Sequence, residues 1–372
     1  VFLSFLPLSH SYEHSAGQFF PMSIGAEIYY AEGADTLAAN MVEARPTIMT
    51  AVPRLYETLH QRITLGARKA GGVRERLFRM AVELGTRRCQ DPAGLTPGQR
   101  LADRVLDVLV RRKVRKRFGG RLKALVSGGA PLNPDIGLFF TALGLRILQG
   151  YGQTETAPCV SVNRPSGFKL HTVGPPMKGV QVRIADDGEI LVKGDLVMQG
   201  YWQDEEATRE TIRDGWVHTG DIGLIDGDGH LRITDRKKDI IVCSGGDNVA
   251  PQRIEGILTI EPEIAQAMVH GDHHPHLVAL LVPDEGWLEA WAEGVGKPPD
   301  LAALADGPAL PKALAPVVER VNAKLSGIEK IRRFMVAKEP FTTDNGLLTP
   351  TLKIRRHRIR ETYGEALEAL YR

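Results

Sequence analysis

Apolar and polar positions follow two rhythms along the chain. FLSFLPL at 2–8 and GAEIYYAE at 25–32 have the short runs of strands. LAANMVEARP at 37–46 and PRLYETLHQRI at 53–63 have helical spacing, the first stopped before Pro46. From about Pro53 to Phe118 the pattern is long, charged and helical. Within it Leu101, Val105, Leu109, Val114 and Phe118 predict one buried apolar stripe, stopped by Gly119–Gly120. KALVSGGAP and LRILQGYGQTET then read as strand-to-turn units of an α/β layer. Between about 173 and 235 the texture becomes short β segments: VQVRIA, GEILVKG, GWVHTGDIGLI and HLRITD, with DGDG at 226–229 as a hairpin turn. A second α/β stretch comes next, with strands at DIIVC, AQAMVHG and LVALLVPD and helices through the alanine-rich 301–325 region. No 20–50-residue repeat and no low-complexity tract interrupts it. A domain boundary is expected near residue 235.

Length and charge narrow the classes. The 372 residues, 43% hydrophobic and 25% charged, suit a globular protein of about two or three domains. Forty-seven basic against 45 acidic residues give a net charge of +2, which offers no general case for nucleic acid. RRKVRKR at 111–117 reads as a solvated helix end favoured by the dipole, with a nuclear or nucleic-acid patch, or contact with anionic lipid, as the alternatives. No run approaches the roughly 18 apolar residues of a membrane span, so membrane contact would be peripheral and the expected location is cytoplasmic. Cys89, Cys159 and Cys243 show no CxxC spacing, which argues against a disulfide framework and a zinc ribbon. Cys159 is expected to pack. The start at Val1, straight into a strand-like run, suggests part of a longer chain.

The candidate chemistry lies in the turns. YGQTET at 151–156 comes directly after a strand, and its residue types suit a nucleotide: an aromatic face for a purine, glycine for close approach, a hydroxyl for phosphate and a carboxylate for magnesium. Alone it is equally a turn with an N-cap threonine. VSGGAP at 126–131 is a second glycine turn without Walker spacing. HTGD at 218–221 ends in Asp221, a carboxylate able to accept ribose hydroxyls, or a plain surface turn. DRKKDIIVCSGGDNVAPQRIE at 235–255 joins a charged hinge, a strand and a glycine turn, and LTPTLKIRR at 348–356 carries Lys353. His270, Asp272, His273, His274 and His276 have the composition of a metal cluster, but no spacing fixes their geometry. No GxSxG elbow is present, which excludes the usual serine hydrolase pattern.

Taken in order, YGQTET, HTGD, DRKKD with SGGDNVAP, and LTPTLK resemble the AMP-forming adenylate ligases. FLPLSHSYEH, ARPTIMTAVPRLYE and the helical insert resemble their long-chain fatty acyl-CoA synthetase branch. The resemblance covers essentially the whole chain. It implies an α/β fold in which residues 1–235 are the C-terminal part of a large adenylate-forming domain, made of α/β layers plus a small β subdomain. The helical insert falls at about 54–118, and the family's upstream triphosphate loop is absent. Residues 236–372 would form a smaller, mobile α+β lid.

The implied reaction joins a fatty acid to coenzyme A with ATP and magnesium, releasing AMP and pyrophosphate. Lys353, Thr154 and Glu155 would be catalytic, with Glu155 holding the metal. Gly129, Ala130, Pro131, Tyr151, Gly152, Thr154, Asp221 and Arg236 would bind the nucleotide. Asp235 would be the hinge, Gly246 would lie by coenzyme A, and His10 would lie near the acyl pocket. Two alternatives stay open: adenylation of an aryl or amino acid for a carrier protein, and a fragment that only binds adenylate or coenzyme A.

Overall fold

The computed structural model describes residues 1–33, 35–349 and 353–372, and the chain divides into two compact units, Val1–Thr234 and Asp235–Arg372. The first unit is organised around a sheet of β1 (Phe2–Ser4), β2 (Ile28–Tyr30), β3 (Ile48–Ala51), β4 (Ala124–Ser127), β5 (Ile147–Tyr151) and β6 (Ser161–Val162), ordered β2-β1-β3-β4-β5-β6. β1 to β5 run parallel and β6 is antiparallel to β5. Their apolar residues are covered by helices, so Leu3, Met49, Leu125 and Ile147 are buried. The register sets Ala51 beside Ser127 and Ser127 beside Gln149, which brings the carboxyl ends of β3, β4 and β5 to one level.

A second sheet comprises β7 (Gln181–Ile184), β8 (Glu189–Lys193), β9 (Ile212–Arg213), β10 (Trp216–Ile225) and β11 (Leu231–Arg236). Its order is β11-β10-β8-β7, with β9 on β10. The DGDG turn joins β10 to β11, Gly229 at φ +79°, and Lys169 clamps it through Asp226 at 2.6 Å and Asp228 at 2.5 Å.

The insert folds as helices Pro53–Ala70, Gly72–Gln90, Pro97–Leu106 and Arg112–Arg117. Gly71 and Gly72, at φ +56° and +53°, break the first from the second. A Thr96–Gln99 capping box opens the third, with Pro97 in its first turn. The predicted apolar stripe is wrong here. Leu101, Val105 and Leu109 are 64%, 49% and 45% exposed, while Asp103, Leu106 and Arg111 are buried. The helix widens into a π-helical segment at Asp107–Arg111, which rotates the facing of the turns after it. Only Phe118, at the end of the stripe, is fully buried as expected.

The second unit packs β14 (Ile264–His270), β15 (Leu277–Pro283) and β16 (Ile331–Val336) in that order, β14 and β15 antiparallel, β15 and β16 parallel. A small hairpin of β12 (Ile241–Val242) and β13 (Asn248–Val249) precedes them. Every residue of β15 is buried, and its alternation explains why. Leu277, Ala279 and Leu281 join one core with the helices Pro251–Leu258 and Ala309–Asn322. Val278, Leu280 and Val282 join another with Ile359, Tyr363 and Leu367 of the helix Arg356–Ala369. Each such Leu or Val contributes roughly 1.5–3 kcal/mol on burial. Among the described residues no helix is long and apolar enough to cross a membrane.

Candidate functional site

In the first unit the glycine-rich turns leave the carboxyl ends of parallel strands, where open α/β sheets hold their ligands. VSGGAP extends from β4. Tyr12 and Tyr56 fix that end by donating to the Val126 carbonyl at 3.0 and 2.9 Å, and the Tyr12 ring lies against Gly128, where a β-carbon would stand 3.1 Å from it. Gly129 comes next at φ +80°, half-buried, and Ala130 and Pro131 are exposed. One strand over, YGQTET continues β5. A β-carbon on Gly152 would overlap the Pro158 carbonyl, so the close chain return there requires glycine.

Asp221, in β10, is drawn to this turn. Its Oδ2 accepts from Tyr151 Oη at 2.7 Å and from Gln153 Nε2 at 2.6 Å, and Gln153 Nε2 also donates to the Thr219 carbonyl at 2.8 Å. Asp221 is 4% exposed, so these donors replace the water a buried carboxylate would otherwise need. Glu155 is half-buried, its Oε1 accepting from Tyr201 Oη at 2.8 Å and its carbonyl accepting from the Met198 amide. Burial, then the Glu155 contact, pushes the Tyr201 phenol up, which keeps it a donor. Thr154 is exposed, and its Oγ1 lies 3.1 Å from Ser11 Oγ, joining the SHSYE segment to this turn across 143 residues. His10, next in the chain, accepts the Tyr12 amide on Nδ1 at 3.2 Å.

Within this unit, then, the fold gathers Tyr151, Gly152, Thr154, Glu155 and Asp221, with Ser11 bringing the His10 segment to Thr154. Sequence reasoning gave no role to Gln153, Tyr201, Ser11 or Tyr12. Gln153 and Tyr12 lie inside segments already singled out, so their position was visible and their partners were not. Nothing in the spacing points to Tyr201. Cys159, expected to pack, is exposed, with Sγ 3.7 Å from the Ser161 carbonyl.

The remaining candidates belong to the second unit. Arg236 is exposed at the end of β11. Gly246, exposed at φ +87°, turns the β12–β13 hairpin, its amide donating to the Cys243 carbonyl at 2.8 Å. Lys353 is exposed, and its backbone is held by exchange with Thr349: its amide donates to Thr349 Oγ1 at 3.0 Å and its carbonyl accepts the Thr349 amide at 2.8 Å. Pro350, Thr351 and Leu352 of the LTPTLK motif lie outside the described residues. Three residues on, Arg356 forms a two-pronged pair with buried Glu255 at 2.8 and 2.5 Å, and Glu255 also accepts the Val269 amide at 2.7 Å. That pair ties the Lys353 segment to the helix Pro251–Leu258.

Asp235 is 3% exposed; Oδ1 accepts the Arg236 amide at 2.6 Å, and buried Oδ2 has no hydrogen-bond partner among the described residues. Burial pushes its carboxyl up to about 6, against the lowering effects of the Arg236 amide and the Arg356 charge. A folded-state value above the unfolded one means stability is complete below about 3.8 and is lost as pH rises through about 6. Asp235→Asn should therefore stabilise the chain by about 1–2 kcal/mol at pH 8, allowing for solvent screening, and by almost nothing at pH 4. Urea unfolding at the two pH values checks this; an equal effect at both would remove the buried charge as its cause.

Residues 1–202 match the family described as AMP-binding enzyme, and residues 238–372 match the AMP-binding enzyme C-terminal domain. The chain is 38% identical to the long-chain-fatty-acid–CoA ligase FadD15 of Mycobacterium bovis, over 99% of its own length and 62% of that protein. It is 34% identical to the peroxisomal long chain acyl-CoA synthetase 6 of Arabidopsis thaliana, over 100% of its length and 55% of that protein. Among solved structures, the A domain of carboxylic acid reductase from Segniliparus rugosus, in complex with AMP and a co-purified carboxylic acid, superimposes with a TM-score of 0.74 at 26% identity, covering 100% of this chain and 54% of that one. The chain thus spans 62% and 55% of the two ligase relatives. Both of its units carry the family's pattern, and the chain belongs to the AMP-binding enzyme family.

Proposed function

We propose that this chain carries the adenylate site and C-terminal domain of an AMP-forming long-chain fatty acid–CoA ligase. The observation that carries the reading is the 38% identity to a long-chain-fatty-acid–CoA ligase along 99% of the chain. The first step is attack of the fatty acid carboxylate on the α-phosphate of ATP, with pyrophosphate leaving. In the second, the coenzyme A thiol attacks the acyl carbonyl and AMP leaves. Both steps gather negative charge, so preorganised donors and cations supply most of the protein's help.

Tyr151 and Gly152, with Gly129, Ala130 and Pro131, line the adenine in this reading. Asp221, oriented by Tyr151 and Gln153, accepts the ribose hydroxyls, and Arg236 is assigned to the same hydroxyls. Thr154 offers its exposed hydroxyl to the α-phosphate. Glu155 suits magnesium by its chemistry, a hard carboxylate next to the phosphate-binding hydroxyl, since magnesium typically takes one or two carboxylates besides phosphate oxygens. The ion would neutralise phosphate charge there. Lys353 bridges carboxylate and α-phosphate oxygens. For the second step, residues 236–372 act as a lid turning at Asp235, which withdraws Lys353 and brings Gly246 to the pantetheine path. His10 lies toward the acyl chain.

The test is incubation of the 372-residue chain with ATP, magnesium, coenzyme A and a panel of acids, reading AMP and acyl-CoA. Acyl-CoA from long-chain acids is expected. Product from aryl or amino acids would move the chain to another branch. Tight binding of a non-hydrolysable acyl-adenylate mimic without turnover would mark a binding fragment, and neither binding nor turnover would reject the proposal.

A further inference from the structure

The histidine-rich turn between β14 and β15 takes no part in the ligase reading, yet the fold gives it a partner. His270 ends β14 and is buried. The chain then turns back tightly, the His274 amide donating to the Gly271 carbonyl at 3.0 Å, with His273 at φ +61°. Across from the turn, the last turn of the helix Arg356–Ala369 delivers Glu368. His270 Nε2 lies 2.9 Å from Glu368 Oε1, and His274 Nε2 lies 3.0 Å from Glu368 Oε2. One ligand atom from each of the three residues falls within 4.8 Å of the other two. Tyr371 braces the arrangement: its ring stacks on His274 at 3.7 Å and 9°, and its hydroxyl reaches the His270 and His276 carbonyls, each at 3.1 Å.

We propose that His270, His274 and Glu368 form a binding site for a zinc-class divalent transition-metal ion. Two imidazoles and one carboxylate are the donor set such ions take, whereas magnesium and calcium prefer oxygen alone. Tetrahedral ligands about 2.0–2.2 Å from zinc stand about 3.3–3.6 Å from one another, so the 2.9 and 3.0 Å separations from Glu368 need only small side-chain shifts. Glu368 is half-exposed, which leaves an open side for water as the fourth ligand. The ion would join the end of β14 to the C-terminal helix and so stabilise the second unit. Affinity should be moderate. Metal on His270 Nε2 moves that ring's proton to Nδ1, which is buried without a hydrogen-bond partner among the described residues.

The whole chain, stripped with a chelator, is titrated with zinc by calorimetry and with cobalt(II) by visible absorption, and its melting is followed with and without zinc. We expect one ion per chain, a cobalt spectrum of nitrogen-ligated low coordination number, and a rise in Tm of about 5 °C or more at a hundredfold excess of zinc over Kd. His274→Ala and Glu368→Gln should each weaken binding at least about tenfold. His273→Ala, whose ring is 84% exposed, should leave affinity within about twofold, since substitutions at exposed positions of this kind perturb little. Binding should weaken as pH falls, because protons and the metal compete for the same ligand atoms. Absence of a cobalt spectrum and of a thermal shift in the unmutated chain would overturn the proposal. So would affinity unmoved in both His274→Ala and Glu368→Gln, which would place the ion elsewhere.

Discussion

Replacing Lys353 by alanine is expected to slow acyl-adenylate formation by about 10²–10³-fold, the usual scale for removing one preorganised charge-stabilising group. Thioester formation from supplied acyl-adenylate should stay within about threefold of the unmodified chain, by the proposed withdrawal of Lys353 before that step. The reason starts from placement. The backbone of residue 353 is fixed by its two bonds to Thr349, and Arg356, three residues along, is locked to Glu255, so the ammonium is carried on a positioned stem. The side chain is exposed, so its loss removes charge with little packing. Lys353→Arg keeps the charge but spreads it over a planar fork, and should recover only part of the rate. Pyrophosphate exchange reads the first step and acyl-CoA formation from synthetic adenylate reads the second. Equal loss in both would remove Lys353 from the role proposed for it.

Much of the architecture was legible because it is local. FLSFLPL, KALVSGGAP and LVALLVPD are runs whose apolar density and bounding turns announce strands, and the structure has strands in all three. The site was legible only as an ordered series of turns. No spacing rule joins Tyr151 to Asp221, 70 residues apart, or Ser11 to Thr154; register and topology do that. Two of the elements that went unread are hidden by their polarity. β16 reads IRRFMV, with two arginines on a strand buried mainly at its ends, and the helix Arg356–Ala369 shows only Ile359, Tyr363 and Leu367 to the core. Glu368 could not be paired with the histidine turn in advance, because contact between residues 94–98 apart is a property of the fold.

The misread stripe has the same origin, and it leads to a large expected effect on stability. Periodicity places charge outside and apolar residues inside, but in the insert a charged pair occupies the core position. Arg111 is fully buried, its Nη2 donating to Asp103 Oδ1 at 2.5 Å and to the Ala81 carbonyl at 2.7 Å, its Nη1 to the Asp103 carbonyl at 3.1 Å. Arg88 adds a bond to Asp103 Oδ2 at 2.8 Å from a more exposed position. Arg111→Ala should therefore cost about 3–5 kcal/mol, because it leaves a buried carboxylate only partly compensated and the Ala81 carbonyl without this donor. Arg111→Met combined with Asp103→Leu removes both charges while keeping most of the volume, and should lie within about 1.5 kcal/mol of the unmodified chain or above it. Urea unfolding, together with amide exchange in the helix Gly72–Gln90, reads the comparison. If the double variant were as unstable as Arg111→Ala, the guanidinium's packing and not its charge would be what the insert depends on. If the single variant lost less than about 1 kcal/mol, the site would admit enough water to solvate Asp103, and its burial would not survive in solution.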